Sequence, residues 1–105
     1  MPTKQTRQTF ASTIGAPAFP DVEQRKLEDV LDKQITVHDA RFKNMKFGEV
    51  VIVLASLPGD ERRFSVLMGG EVVREKIREA MKQHLLPLDG TVSLSDGEPP
   101  YYDIA

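Results

Sequence analysis

Over much of the chain, apolar and polar positions recur with the period of two that predicts β-strands. In residues 34–42, Ile35 and Val37 alternate with polar neighbours. Residues 48–57 form a continuous apolar run rich in Val and Ile, which is typical of a strand covered on both faces. Residues 62–68 resume a strand pattern after a Pro-Gly turn. The second and third of these strands are predicted to form a hairpin.

A helical period appears twice. Residues 71–86 carry an apolar stripe opposite a charged face, and Pro87 ends the pattern, so a helix is predicted there. Residues 21–33 carry a thinner stripe behind Asp21, a candidate N-cap, which predicts a short helix. Two further short strands are predicted at residues 91–95 and 101–104.

The order strand, strand, strand, helix, strand, strand is that of the OB-fold, a small five-stranded barrel. We therefore expect a mainly β protein in which one OB-fold domain spans residues 21–105, including the short helix at about 21–33. Residues 1–20 contain no acidic residue and no apolar period, and are expected to form a flexible arm. A β-grasp fold and an SH3-like barrel with an insertion are rival arrangements. The expected core consists of Ile35, Val37, Val50, Ile52, Leu54, Phe64, Val66, Val73, Ile77, Met81, Val92 and Leu94.

Composition narrows the class of protein. The chain has 105 residues, the size of one domain, and no cysteine, which excludes disulfides, thiolate metal sites and a thiol nucleophile. The longest uncharged run is too short to span a bilayer, so a cytoplasmic protein without a membrane partner is expected. The net charge of −2 excludes the bulk basicity of a duplex-binding protein. Positive charge is nevertheless concentrated in residues 1–20, 33–48 and 62–63.

Cations and aromatic rings are interleaved around the first predicted turn. Binding of a single polynucleotide strand needs cations for the phosphates and flat rings for the unpaired bases. Each phenylalanine is, taken alone, more readily explained as core, and one of the two adjacent tyrosines should face outward on a strand. The candidate nucleic-acid-binding residues are Lys33, Arg41, Phe42, Lys43, Lys46, Phe47, Arg63 and Tyr102.

The sequence gives little support for a catalytic site or a metal site. His38 and Asp39 are neighbours on a strand and should point to opposite faces, which separates them as a dyad or ligand pair. His84 is expected to be a half-buried histidine on the apolar helix face. Gly69-Gly70 lacks the Lys and Ser/Thr of a phosphate-binding loop. A barrel of this size is filled by its own side chains, so we expect no catalytic residue, no metal and no cofactor.

Residues 34–105 resemble the small single-stranded-DNA-binding OB-fold proteins of phages and mobile elements. The resemblance rests on the element order, the Gly69-Gly70 step into the helix and the aromatic strand at Tyr101-Tyr102. It implies a non-enzymatic protein of DNA replication, recombination or repair that binds single-stranded DNA with little sequence preference. The ligand could also be RNA. A second copy of the chain and a replication protein are further possible partners. The alternative is an OB-like protein-interaction module that serves as an accessory or assembly subunit.

Overall fold

A computed structural model describes residues 18–105 of the protein. The fold is mainly β, as expected, with one α-helix. The expected arm lies, as far as residue 17, outside the described residues. In chain order the elements are β1 (Glu23–Arg25), β2 (Gln34–Met45), β3 (Gly48–Ser56), β4 (Arg63–Met68), α1 (Glu71–Lys82), β5 (Leu88–Leu94) and β6 (Tyr102–Ile104).

The strands form one open sheet in the order β1-β4-β3-β2-β5-β6. Strands β2, β3 and β4 follow one another as antiparallel neighbours, so the predicted hairpin is confirmed. Strand β5 pairs with the first part of β2, and β6 pairs with β5, both antiparallel. Strand β1 runs parallel to β4. The second half of β2 and the start of β3 therefore project as a hairpin beyond the end of β5.

The expected closure of the sheet into a barrel is not made by hydrogen-bonded strands in residues 18–105. Strand β6 pairs only with β5, and β1 takes the free edge of β4. The sheet nevertheless curls, because a Cβ at Gly70, just after β4, would lie 3.4 Å from the Cβ of Tyr102 on β6. The start of α1 thus lies against β6, and no ladder joins β6 to β4 in the described residues.

The helix predicted at residues 21–33 is wrong. That stretch contains β1 and a single 3₁₀ turn, Leu27–Asp29, in which the Asp29 carboxylate accepts the Lys26 N–H at 3.2 Å. The thin apolar stripe explains the difference, because Val30 is its only buried residue in this stretch of the structure. An isolated helix of this length is marginal, whereas the edge of β4 offers unpaired backbone groups to a strand.

The core lies between the inner face of the sheet and α1. Seven of the expected core residues are buried: Ile35, Val37, Phe64, Val66, Val73, Ile77 and Val92. On β3 the expectation is wrong by one residue, since Val51, Val53 and Ala55 are buried while Val50, Ile52 and Leu54 face the other side, half-buried. Met81 is also half-buried and packs against the core.

Leu94 and His84, which lie outside β3, also differ from expectation. Leu94, at the end of β5, is 51% exposed. His84 lies beyond the end of α1 and is exposed, with a positive φ of 57°. A left-handed residue just past a helix is a common way to end it, so α1 ends before Pro87 and the half-buried His84 expected on its apolar face is wrong.

An ion pair fastens β6 to α1. Lys76 Nζ lies 2.7 Å from Asp103 Oδ1 and donates to the Ile104 carbonyl at 3.1 Å. The hydrogen bond from Lys76 lowers the pKa of Asp103 below its usual 3.8. A carboxylate with a lowered pKa in the folded state stabilises the fold above its ordinary pKa, and this contribution is lost as the pH falls from the ordinary pKa through the lowered one.

We therefore expect the free energy of unfolding to fall as the pH drops from about 5 to 3, with Asp103 accounting for about 0.5 kcal/mol, the usual size of a partly exposed pair. Chemical denaturation at several pH values, comparing the parent chain with Asp103→Asn, measures this. The difference between the two proteins should shrink towards pH 3. A difference that does not change with pH would show that the pair does not stabilise the fold through its charge.

Candidate functional site

The outer face of β2, β3 and β4, opposite the core, carries an apolar stripe between cations. Residues paired across antiparallel strands share a face, and Arg41 pairs with Ile52, Lys43 with Val50, and Ile52 with Leu67 on β4. Arg63, on β4, pairs with Ser56. We call this surface the outer face; it includes Asp39, Arg41, Lys43, Val50, Ile52, Leu54, Ser56, Arg63, Ser65 and Leu67.

The hairpin between β2 and β3 ends in an exposed aromatic ring. The last pair of the ladder is Met45 with Gly48, which leaves Lys46 and Phe47 as the two turn residues. Gly48 has a φ of 124°, a conformation that favours glycine. Phe47 is 96% exposed, so the explanation of this ring as core is wrong. The hairpin tip, residues 46 and 47, presents one cation and one uncovered ring.

Three other candidate residues lie away from the outer face. Phe42 pairs with Val51 and points to the core side, where the Arg78 guanidinium carbon lies 4.2 Å from its ring centroid. Tyr102 is half-buried and packs against the core. Lys33 precedes β2, roughly 25 Å along the strand from Arg41 at the usual rise per residue. A binding role for these three stays a prediction, and the geometry joins none of them to the outer face.

Several cations outside the outer face are matched by carboxylates. Glu49 Oε1 accepts hydrogen bonds from Arg74, at 3.1 Å, and from Arg78, which ties the hairpin to α1. Arg62 forms an ion pair with Asp60 at 3.0 Å, and their hydrogen bond lowers the pKa of Asp60. Within residues 18–105, in contrast, neither Arg41 nor Arg63 has a carboxylate partner.

His38 lies at the end of the outer face near Arg63. It occupies an irregularity in the pairing of β2 with β3, and its Nε2 lies 2.8 Å from Ser56 Oγ. Burial, followed by the positive charge of Arg63, lowers the pKa of His38 below its usual 6.5, so the ring is neutral at neutral pH. Asp39 accepts the Ala40 N–H at 2.8 Å instead of contacting the histidine ring. This end of the face is therefore polar and carries both the Arg63 guanidinium and the Asp39 carboxylate.

A cavity of about 730 Å³, wide open to solvent, follows residues 94–100 between β5 and β6, and a second cavity is much smaller. The smaller cavity, of about 160 Å³, lies between α1 and β5, lined mostly by apolar side chains such as Ile77, Leu86 and Ile104. Small-molecule sites usually exceed about 300 Å³. Residues 18–105 contain no group of His, Asp and Glu arranged to hold a metal ion. Within the same residues, no helix is long and apolar enough to cross a membrane.

Sequence reasoning misses the apolar stripe of the outer face, because Val50, Ile52 and Leu54 are expected in the core, and it also misses a ring beside that face. The ring centroid of Phe19 lies 5.2 Å from the guanidinium carbon of Arg41, although Phe19 falls within the expected arm. The signal for it is only the aromatic residue itself, because a contact between residues 22 positions apart leaves no local pattern. No protein-family model, curated protein or solved structure matches the chain.

Proposed function

We propose that the protein binds single-stranded DNA, with little sequence preference and without catalysis, through the outer face and the hairpin tip. One observation carries the proposal: half-exposed apolar side chains lie between Arg41 and Lys43 on one side and Arg63 on the other, and an uncovered ring, Phe47, stands at the adjoining tip. We further propose a role in replication, recombination or repair.

The dimensions suit a single strand. Three neighbouring strands span roughly 10 Å, twice the usual strand separation, which fits one polynucleotide chain lying across the face. Its phosphates would approach Arg41, Lys43 and Arg63, and its bases would pack on the apolar stripe and on Phe47. Apolar packing and ring stacking accept every base, which accounts for the proposed lack of sequence preference.

We also propose that the fold is an open variant of the OB-fold. Its order of three strands, a helix and two strands is preserved from β2 to β6. In OB-folds, the second and third strands and the loop between the first two strands bind oligonucleotides. The corresponding parts here are β3, β4 and the hairpin tip. The face proposed from side-chain chemistry thus coincides with the one that this fold would use.

Fluorescence anisotropy with labelled oligo-dT, measured at several salt concentrations, tests the binding. The parent chain should bind at low salt and weaken as salt rises, because bound cations release counterions from the strand. In Arg41→Ala/Arg63→Ala, the slope of log K against log[salt] should shrink by about 0.7 for each phosphate that the variant no longer neutralises. Lys82→Ala, an exposed cation on α1, is the matched control and should keep the parent slope.

No binding at tens of micromolar protein in low salt would overturn the proposal, as would equal losses of affinity in Lys82→Ala and in the outer-face variant. The half-exposed stripe and Leu67, 47% exposed, favour a protein partner as the second candidate. An outer face that binds no oligonucleotide would point to that accessory role. Oligo-rU in the same titration decides between DNA and RNA.

A further inference from the structure

Residues 18–22, which we call the strap, lead into β1 and lie over the outer face. The ring of Phe19 is half-buried and stacks on Arg41 of β2. The Val22 N–H donates to the Phe19 carbonyl at 3.4 Å, which closes a turn within the strap. Arg41 points out of the sheet on the side away from the core. The strap therefore contacts a cation of the proposed binding surface.

The path of the strap follows from the order of the strands. Glu23, the first residue of β1, pairs with Phe64 on the edge of β4, whereas Arg41 is on β2. Strands β4 and β3 lie between these two points, so roughly 14 Å of sheet, three strand separations, must be crossed. The turn within the strap keeps its backbone near β1, so the ring of Phe19 and the long side chain of Arg41 supply the reach between them. The Phe19 side chain thus extends across the outer face to Arg41.

Burial on the outer face agrees with this path. Ser65 points outward, between its neighbours Leu54 and Gln24, yet is only 5% exposed. Leu67, two residues further along the same strand and the same face, is 47% exposed. The outer face is therefore less accessible at Ser65 than at Leu67, although Arg63 on the same strand is exposed. The small side chain of Ser65 is shielded by Leu54 and Gln24, and the strap leads into β1 on the Gln24 side.

We infer that the strap is an internal competitor for the nucleic acid. The face of the Arg41 guanidinium that Phe19 covers is one on which a base would stack, so ring and base cannot occupy it together. This inference rests on the proposed function. Single-stranded DNA would bind only those molecules in which the strap is displaced. The apparent dissociation constant would therefore equal the intrinsic one divided by the fraction of such molecules.

If Phe19 instead belonged to the binding site, its removal would change the affinity for DNA in the opposite direction. If Phe19 were itself a stacking ring of the site, its removal would weaken binding. As a competitor, it weakens binding while present. Trp interacts more strongly with a guanidinium than Phe does, and alanine does not interact in this way. Affinity for DNA should therefore rise in the order Phe19→Trp, parent chain, Phe19→Ala.

Anisotropy with labelled oligo-dT at low salt measures this order. Phe19→Ala should bind roughly two- to fivefold more tightly than the parent, the fold-change equivalent to one exposed cation–π interaction. Leu94→Ala removes an exposed apolar side chain far from the strap, at the end of β5, and should bind like the parent. Weaker binding by Phe19→Ala would overturn the competitor role and assign Phe19 to the site.

Phe19→Trp also reports where the strap lies, because the chain contains no other tryptophan. Saturating oligo-dT should shift its emission to the red and increase quenching by acrylamide, as expected for a ring released into water. An unchanged emission while anisotropy shows binding would overturn the competitor role and leave the proposed function standing. Failure of both Phe19→Ala and the parent to bind would instead overturn the proposed function itself.

Discussion

Replacing Phe64 with alanine is expected to lower the free energy of unfolding by about 3–5 kcal/mol, the usual loss for a buried phenylalanine. The side chain is 1% exposed and belongs to the second residue of β4. It pairs with Ala55 on β3 and with Glu23 on β1, and the guanidinium carbon of Arg25 lies 4.3 Å from its ring centroid. The substitution leaves a cavity where three strands meet. Urea denaturation followed by circular dichroism measures the loss.

A loss of this size approaches the whole stability of a small domain, so a milder variant accompanies it. Phe64→Leu keeps most of the apolar volume and should lose clearly less than Phe64→Ala. Both proteins should unfold at lower urea concentration than the parent, with Phe64→Ala the less stable. A loss below about 1 kcal/mol in Phe64→Ala, the size typical of an average substitution, would contradict the placement of this ring in the core.

Phe47→Ala should leave the stability of the fold nearly unchanged and should weaken the binding of DNA. The ring is 96% exposed, so its removal should change the free energy of unfolding by less than about 0.5 kcal/mol. Binding of oligo-dT should weaken by about 1–3 kcal/mol, roughly 5- to 150-fold, because one base loses its stacking platform. Anisotropy and urea denaturation on the same preparation measure both quantities.

Two variants show whether the ring itself matters. Phe47→Tyr keeps a flat aromatic face and should bind like the parent, whereas Phe47→Leu keeps apolar bulk without the face and should bind like Phe47→Ala. Equal affinity of all three variants and the parent would remove the hairpin tip from the proposed site. The outer face would then have to bind the strand alone.

Local pattern predicts most of the elements of this fold. The β-branched residues of β2, β3 and β4 and the charged-apolar alternation of α1 specify their structure through neighbours in sequence, and these elements are confirmed. Strand β1 is not predictable in this way. Its three residues become a strand because the edge of β4, about 40 positions later, supplies the hydrogen-bonding partners. A pairing over that distance leaves no periodicity in the residues that make it.

The register of β3 and the position of the rings are ambiguous for a different reason. Both alternating sets of β3, the one with Val51 and the one with Val50, are apolar, so hydrophobicity alone cannot assign the inner face. Phe42 and Phe47 are both aromatic and both close to Lys residues, yet a two-residue turn exposes one while Arg78 covers the other. Only the pairing of Met45 with Gly48 separates them.

The parallel pairing of β1 with β4 determines the order in which the strands can join the sheet. Strands β2, β3 and β4 join neighbours in sequence and can assemble with short loops, whereas β1 must wait until β4 has formed the edge that receives it. Closing so long a loop costs more chain entropy than closing a hairpin. Residues 23–25 leave the ribosome before any of these strands, but they can enter the sheet only after the meander exists. The first of the described strands to be synthesised is thus among the last to enter the sheet.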